Sequence, residues 1–152
     1  LRNGGSIEEA VNLFGHRYLG REAFKGNVAL NEGLQLLADI IAGIDTTSNK
    51  WDNSNAYLGV GDSSTAEDAS QTGLQGTNKT FKGMDDGYPS RSGQTLEWRA
   101  TFESGDANHD WKEFTVVNAS DDNGTNLNRK VADKGTKSSG ETWTLSLQIT
   151  FS

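Results

Sequence analysis

The end of the chain alternates without a break. Trp143, Leu145, Leu147, Ile149 and Phe151 fall on one side, and Thr142, Thr144, Ser146, Gln148 and Thr150 on the other. A period of two is the pattern of a half-buried β-strand, because successive side chains point to opposite faces. Such a strand cannot stand alone; it needs strand partners and a second layer to cover its apolar face. A second alternation supplies a partner, with Leu96, Trp98, Ala100 and Phe102 facing inward against Glu97, Arg99, Thr101 and Glu103. Shorter β-like runs lie at 56–60, 80–84, 113–118 and 127–131, separated by polar stretches at 61–78, 85–93 and 119–126 that read as surface loops. In the last of these, Asp121-Asp122-Asn123-Gly124 is a hairpin-turn candidate, because Asn-Gly accepts the positive φ that tight turns need. The predicted fold is mainly β, a small barrel or sandwich of about five or six short strands.

One segment breaks the β pattern. Leu30, Leu34, Leu37, Ile40, Ile41 and Ile44 recur at three- and four-residue spacing, which predicts a helix over 30–43. Asn31 suits its N-cap, Glu32 its first turn and Gly43 a left-handed stop. A helix of about three turns is marginal alone, so its apolar face must rest on the domain or on a neighbouring subunit. Residues 1–27 are Gly-rich with only scattered apolar side chains, too few to close a core. They read as an extended N-terminal arm that orders on a partner, with Ile7, Val11, Phe14, Tyr18 and Phe24 as its docking residues. The organisation expected is thus an arm at 1–27 and a β-rich domain at 28–152.

Composition narrows the function classes. A formal charge of −7 disfavours nucleic acid, whose binding needs a basic stripe, and Arg129-Lys130 and the Lys134–Lys137 pair beside Asp133 read as solvated surface. The chain has no cysteine, which removes disulfides, thiolate zinc sites and cysteine nucleophiles. No apolar run approaches the roughly 20 residues of a membrane span.

Catalytic patterns are thin. The two histidines, His16 and His109, lack convergent partners in sequence, and no GxSxG nucleophile turn is present. Asp106, Asn108 and Asp110 have the spacing of the first half of an EF-hand loop, but Trp111 stands where its Gly belongs and Val117 where its closing Glu belongs. Gly59-Val60-Gly61-Asp62 lacks the rest of a nucleotide-binding loop and reads as a strand ending in a turn. Trp98 and Trp143 are in phase with core positions, whereas Trp51 and Trp111 stay open as rings for a sugar-stacking platform. No catalytic residue, metal or cofactor is assigned.

Several segments occur together in a telling order: NAYLGVGDSSTA at 55–66, QTGLQG at 71–76, KGMDDGYP at 82–89, WRATF at 98–102, ANHDWKEF at 107–114, LNRK at 127–130 and GTKSSGETWTL at 135–145. In these motifs the chain resembles the head auxiliary, or decoration, proteins of tailed phages, over about two thirds of its length. The resemblance implies a β-tulip-like variant of the small barrel or sandwich. It also implies a non-enzymatic virion structural protein that binds the major capsid protein as a homotrimer on the capsid exterior, after assembly in the host cytoplasm, with no nucleic-acid or membrane contact. Met84, Tyr88 and Pro89 of the KGMDDGYP loop are the expected oligomer contacts. A tail-associated structural protein and a carbohydrate-binding β-sandwich module are the alternative readings.

Overall fold

The computed structural model describes residues 27–151, so the arm residues Ile7, Val11, Phe14, Tyr18 and Phe24 lie outside the described residues. The fold is mainly β, two antiparallel sheets and one short helix, α1 (Asn31–Ala42). The first sheet has the order β1-β7-β6-β2-β3, built from β1 (Val28–Ala29), β7 (Asn128–Val131), β6 (Glu113–Val117), β2 (Tyr57–Gly61) and β3 (Lys79–Gly83). The second has the order β4-β5-β8, from β4 (Ser90–Ser92), β5 (Thr95–Phe102) and β8 (Trp143–Thr150). The chain therefore forms two facing sheets rather than one closed barrel.

The two alternating stretches become partners along their full length, with Leu96 opposite Ile149, Trp98 opposite Leu147, Ala100 opposite Leu145 and Phe102 opposite Trp143. Matching apolar positions in register gives this sheet one apolar face, and that face meets Leu58, Val60, Phe114 and Val116 of the other sheet in a single core. Trp111 sits at the centre of an aromatic cluster, edge-on to Phe102, Phe114 and Trp143 with centroids 4.8, 6.2 and 5.0 Å away. The outer face of the second sheet is polar. Thr95 meets Thr150, Thr101 meets Thr144, and Glu97 receives hydrogen bonds from Ser146 and Gln148. Phe151 departs from the predicted pattern: it lies beyond the end of β8 and is 44% exposed.

The helix forms where expected, ending at Gly43 in the left-handed conformation at φ 69°. Its start and its buried face both differ from expectation. Leu30, not Asn31, is the N-cap and makes no side-chain capping bond. The Asn31 amide instead donates to the Ala69 carbonyl at 2.8 Å, while the Glu32 carboxylate accepts from the Asn126 amide at 2.8 Å. Docking uses Gly33 and Leu36, supported by Ile40, and leaves Leu34 and Ile41 outside. The reason is close approach: a Cβ on Gly33 would stand 2.6 Å from the Asn126 carbonyl oxygen and 2.6 Å from the Leu127 Cα, so only glycine brings the helix this near the backbone before β7.

The 121–124 turn does join β6 to β7, with the Gly124 amide donating to the Asp121 carbonyl at 3.4 Å. It does not use positive φ at Asn123 or Gly124. Gly124 instead makes room for Ala119 and Val117, which approach its absent Cβ to 2.6 and 2.8 Å.

Candidate interaction surfaces and the network that shapes them

The middle of the first sheet, β6 and most of β2, is buried on both sides, by the core on one and by the long loop 62–78 on the other. What holds that loop is a fully buried ion pair. Arg129 Nε and Nη2 each lie 2.8 Å from Glu113 Oε2, with neither side chain exposed. The carboxylate also accepts from the Gln75 amide at 2.9 Å and the Gly76 amide at 2.6 Å, while the guanidinium donates to the Thr65 carbonyl at 3.0 Å and to Gln71 Oε1 at 2.9 Å. Both ends of the loop are thus fixed to one pair anchored in β6 and β7. Gly61, whose Cβ would fall 2.4 Å from Glu113 Oε1, leaves space for the carboxylate. The reading of Arg129 as solvated surface is corrected: the loop folds over it and replaces its water with carbonyl oxygens.

Lys137 is corrected in the same way. It is almost wholly buried, donating to the Glu103 carbonyl at 2.8 Å and to Asn108 Oδ1 at 3.0 Å, which ties residues 103–108 to the segment before β8. Lys134 is half-buried, its amide donating to the Trp111 carbonyl at 2.8 Å.

Three further loop carboxylates accept from local amides, a hydroxyl or a lysine. Asp62 accepts from the Thr77 and Asn78 amides and from Asn78 Nδ2, and these bonds, the side-chain one foremost, hold its carboxyl below the usual value. Asp106 pairs with Lys82 at 2.6 Å, which lowers its carboxyl too. Asp110 pairs with Lys112 at 2.7 Å and accepts from Thr136, so its carboxyl is lowered while the Lys112 ammonium is raised. Asp106, Asn108 and Asp110 therefore point to separate partners, and among the described residues no group of three His, Asp or Glu side chains gathers to hold a metal ion. His109 is held at both nitrogens. Nδ1 lies 2.8 Å from the Asp110 carbonyl, which can only accept, leaving Nε2 for the Thr80 hydroxyl at 3.1 Å in the neutral ring.

The tryptophans left open for sugar stacking are core residues. Trp51 and Trp111 are both buried, and their indole nitrogens donate to the Thr125 and Ala107 carbonyls at 3.0 Å. In phase or not, these rings face inward because each has an apolar body and one donor that a loop carbonyl can satisfy.

The KGMDDGYP loop is tightly built. Asp85 accepts from Arg99 Nε, the Thr101 amide and the Thr101 hydroxyl, each at 3.0 Å, and its own amide donates to the Arg99 carbonyl at 2.8 Å. The Arg99 guanidinium stands 4.2 Å from the centre of the Tyr88 ring, and Asn53 Nδ2 reaches the Tyr88 carbonyl at 2.6 Å. Of the expected oligomer contacts, Met84 packs against the core, and Tyr88 and the cis-linked Pro89 are half-buried. Sequence reasoning missed the feature that shapes these surfaces most, the Glu113–Arg129 pair, and it missed that α1 keeps an apolar face in solvent.

Among the described residues no helix is long and apolar enough to cross a membrane. Compared with models of known protein families, with curated proteins and with solved structures, the chain matches none.

Proposed function

We propose that this chain is a non-enzymatic structural protein of a phage virion, which docks on the capsid exterior as a homotrimer, binds the major capsid protein and stabilises the expanded shell. The observation that carries this reading is the use made of the polar side chains. Glu113 with Arg129 and Asp85 each hold a loop against a strand, and Asp62 and Lys137 each tie one loop segment to another. Those residues belong to the segments in which the chain resembles decoration proteins, so the motifs are the parts that fix the loop surface. A rigid, pre-shaped loop surface suits a protein that works by burying area across subunit boundaries, since little ordering cost remains to be met on docking. Closed symmetry adds avidity, which raises apparent affinity by about 10² to 10⁴ when several patches engage together.

The test is to incubate undecorated expanded heads with the full chain, count bound copies, and follow DNA release on heating. Saturable binding in multiples of three with release shifted to higher temperature supports the reading. Absence from heads together with retention on isolated tails replaces it with a tail-associated role.

A further inference from the structure

Helix α1 carries a second apolar face that its own domain does not use. The exposed residues of the helix are Asn31, Leu34, Gln35, Ala38, Ile41 and Ala42, and none of them is charged. Leu34 is 48% exposed, Ile41 78%, and Ile44, just beyond the cap, 75%. In a chain with 35 charged residues, 14 basic and 21 acidic, an uncharged helix face this apolar is a distinct patch.

We propose that this face packs against the same face of other copies of the chain. Two observations select a second copy as occupant. The first is spacing: Asn31, Leu34, Ala38 and Ile41 follow the three-four-three interval of a coiled-coil seam, with small Ala38 between two large side chains. A knob from one copy fits the gap over Ala38 in the other, so the surface is complementary to itself. The second is charge. Two copies each carrying −7 repel across most of their surfaces, and a face without charge is where they approach at least cost. The helix is short, but its inner face is already fixed through Gly33 and Leu36, so association has no helix nucleation to overcome. This inference rests on the self-association in the proposed function and not on the shell, and it names the surface that makes it.

Sedimentation equilibrium of the full chain over a range of concentrations tests it. Wild type is expected to show a mass of more than one chain. Ile41→Glu, and separately Leu34→Glu, should weaken self-association by at least about 100-fold by placing like charges in the centre of the contact. Ser120→Glu, on an exposed loop, should leave the mass unchanged, and circular dichroism should show all three folded. Assembly that persists undiminished in folded Ile41→Glu and Leu34→Glu overturns the proposal. So does a single-chain mass at every wild-type concentration. In that case a lowered thermal midpoint for monomeric Ile41→Glu makes residues 1–26 of the same chain the occupant, and an unchanged midpoint makes it a foreign surface. Copies that associate through α1 but bind no heads keep this inference and sink the shell reading; single chains that bind heads do the reverse.

Discussion

Replacing Arg129 by Met leaves a carboxylate buried without its cation, and that is the perturbation the structure predicts most sharply. Glu113 keeps the Gln75 and Gly76 amides but loses two contacts of 2.8 Å from the guanidinium, and the Thr65 carbonyl loses its donors while the Ala66 carbonyl keeps only Gln71 Nε2. Removing one partner of a buried pair costs about 3–5 kcal/mol, because the remaining charge is stranded. At this chain length that corresponds to a fall of roughly 6–20 °C in the thermal midpoint. Glu113→Gln should also destabilise, since every group around that carboxylate is a donor and an amide can offer only one oxygen to them. The pairing of Arg129→Met with Glu113→Gln is then the informative variant: with neither charge present it should lose less than the two single losses added together. Urea unfolding followed by circular dichroism gives the energies, and hydrogen exchange locates them. Protection should fall first at Gln75 and Gly76, where the amides point at the carboxylate. Single variants within about 1 kcal/mol of wild type, or exchange that rises uniformly instead of in the 62–78 loop, would refute the account of how this loop is held.

Three further outcomes follow from the same geometry. Gly33→Ala, which in a free helix gains about 1 kcal/mol, should instead destabilise by about 1–3 kcal/mol, because the new methyl meets backbone at 2.6 Å; a raised midpoint in thermal unfolding counts against close packing there. Lys137→Met should cost about 1–3 kcal/mol by leaving Asn108 Oδ1 without its donor and the Glu103 carbonyl with only the Asp106 amide, and should speed hydrogen exchange in residues 103–110 while leaving 62–78 unchanged. Stability should also depend on acid in a set direction. Asp45, held at about 2 by Ser48 and Thr47, and Asp62, Asp106 and Glu67 all have folded values below their ordinary 3.8 or 4.5, so their contributions are full above those values and vanish as pH falls through the folded ones. The thermal midpoint should therefore hold from pH 7 to about 5 and drop below about 4, and a steep loss between pH 7 and 6 would mean that other groups dominate.

The parts of the fold that could be read from the chain are those where one face meets water. β5 and β8 alternate because their outer face is solvated, so polarity reports direction residue by residue. β6 does not alternate in this way. Its residues Glu113, Phe114, Thr115, Val116 and Val117 are all buried, since the 62–78 loop lies over the side that a solvated sheet would expose. Glu113 and Arg129 are buried there only because loop residues 38 and 64 positions away in sequence fold across them. Neighbouring residues carry no sign of that, which is why Arg129 beside Lys130 looked like surface. The cover also explains why the candidate surfaces were harder to read than the strands. Trp51 and Trp111 lack an alternating neighbourhood, and their burial depends on loop carbonyls from Thr125 and Ala107 that only the folded chain brings to them.

The helix shows the same limit from the other direction. Its apolar positions exceed what one face needs, so spacing alone could not decide which side docks. Gly33 decides it, because only the absence of a side chain lets the helix approach the Asn126–Leu127 backbone. Once that contact is made, Leu36 and Ile40 turn inward, and Leu34, Ile41 and Ala38 are carried outward by the helical period. The exposed face is thus a geometric consequence of the buried one, and its freedom from charge is a separate property of the sequence. A helix serving its own core alone would place Lys or Glu at positions 38 and 41, where nothing in the domain requires an apolar side chain. That α1 has Ala and Ile there ties the face to a partner rather than to the fold, and the mass of Ile41→Glu at rising concentration distinguishes the two.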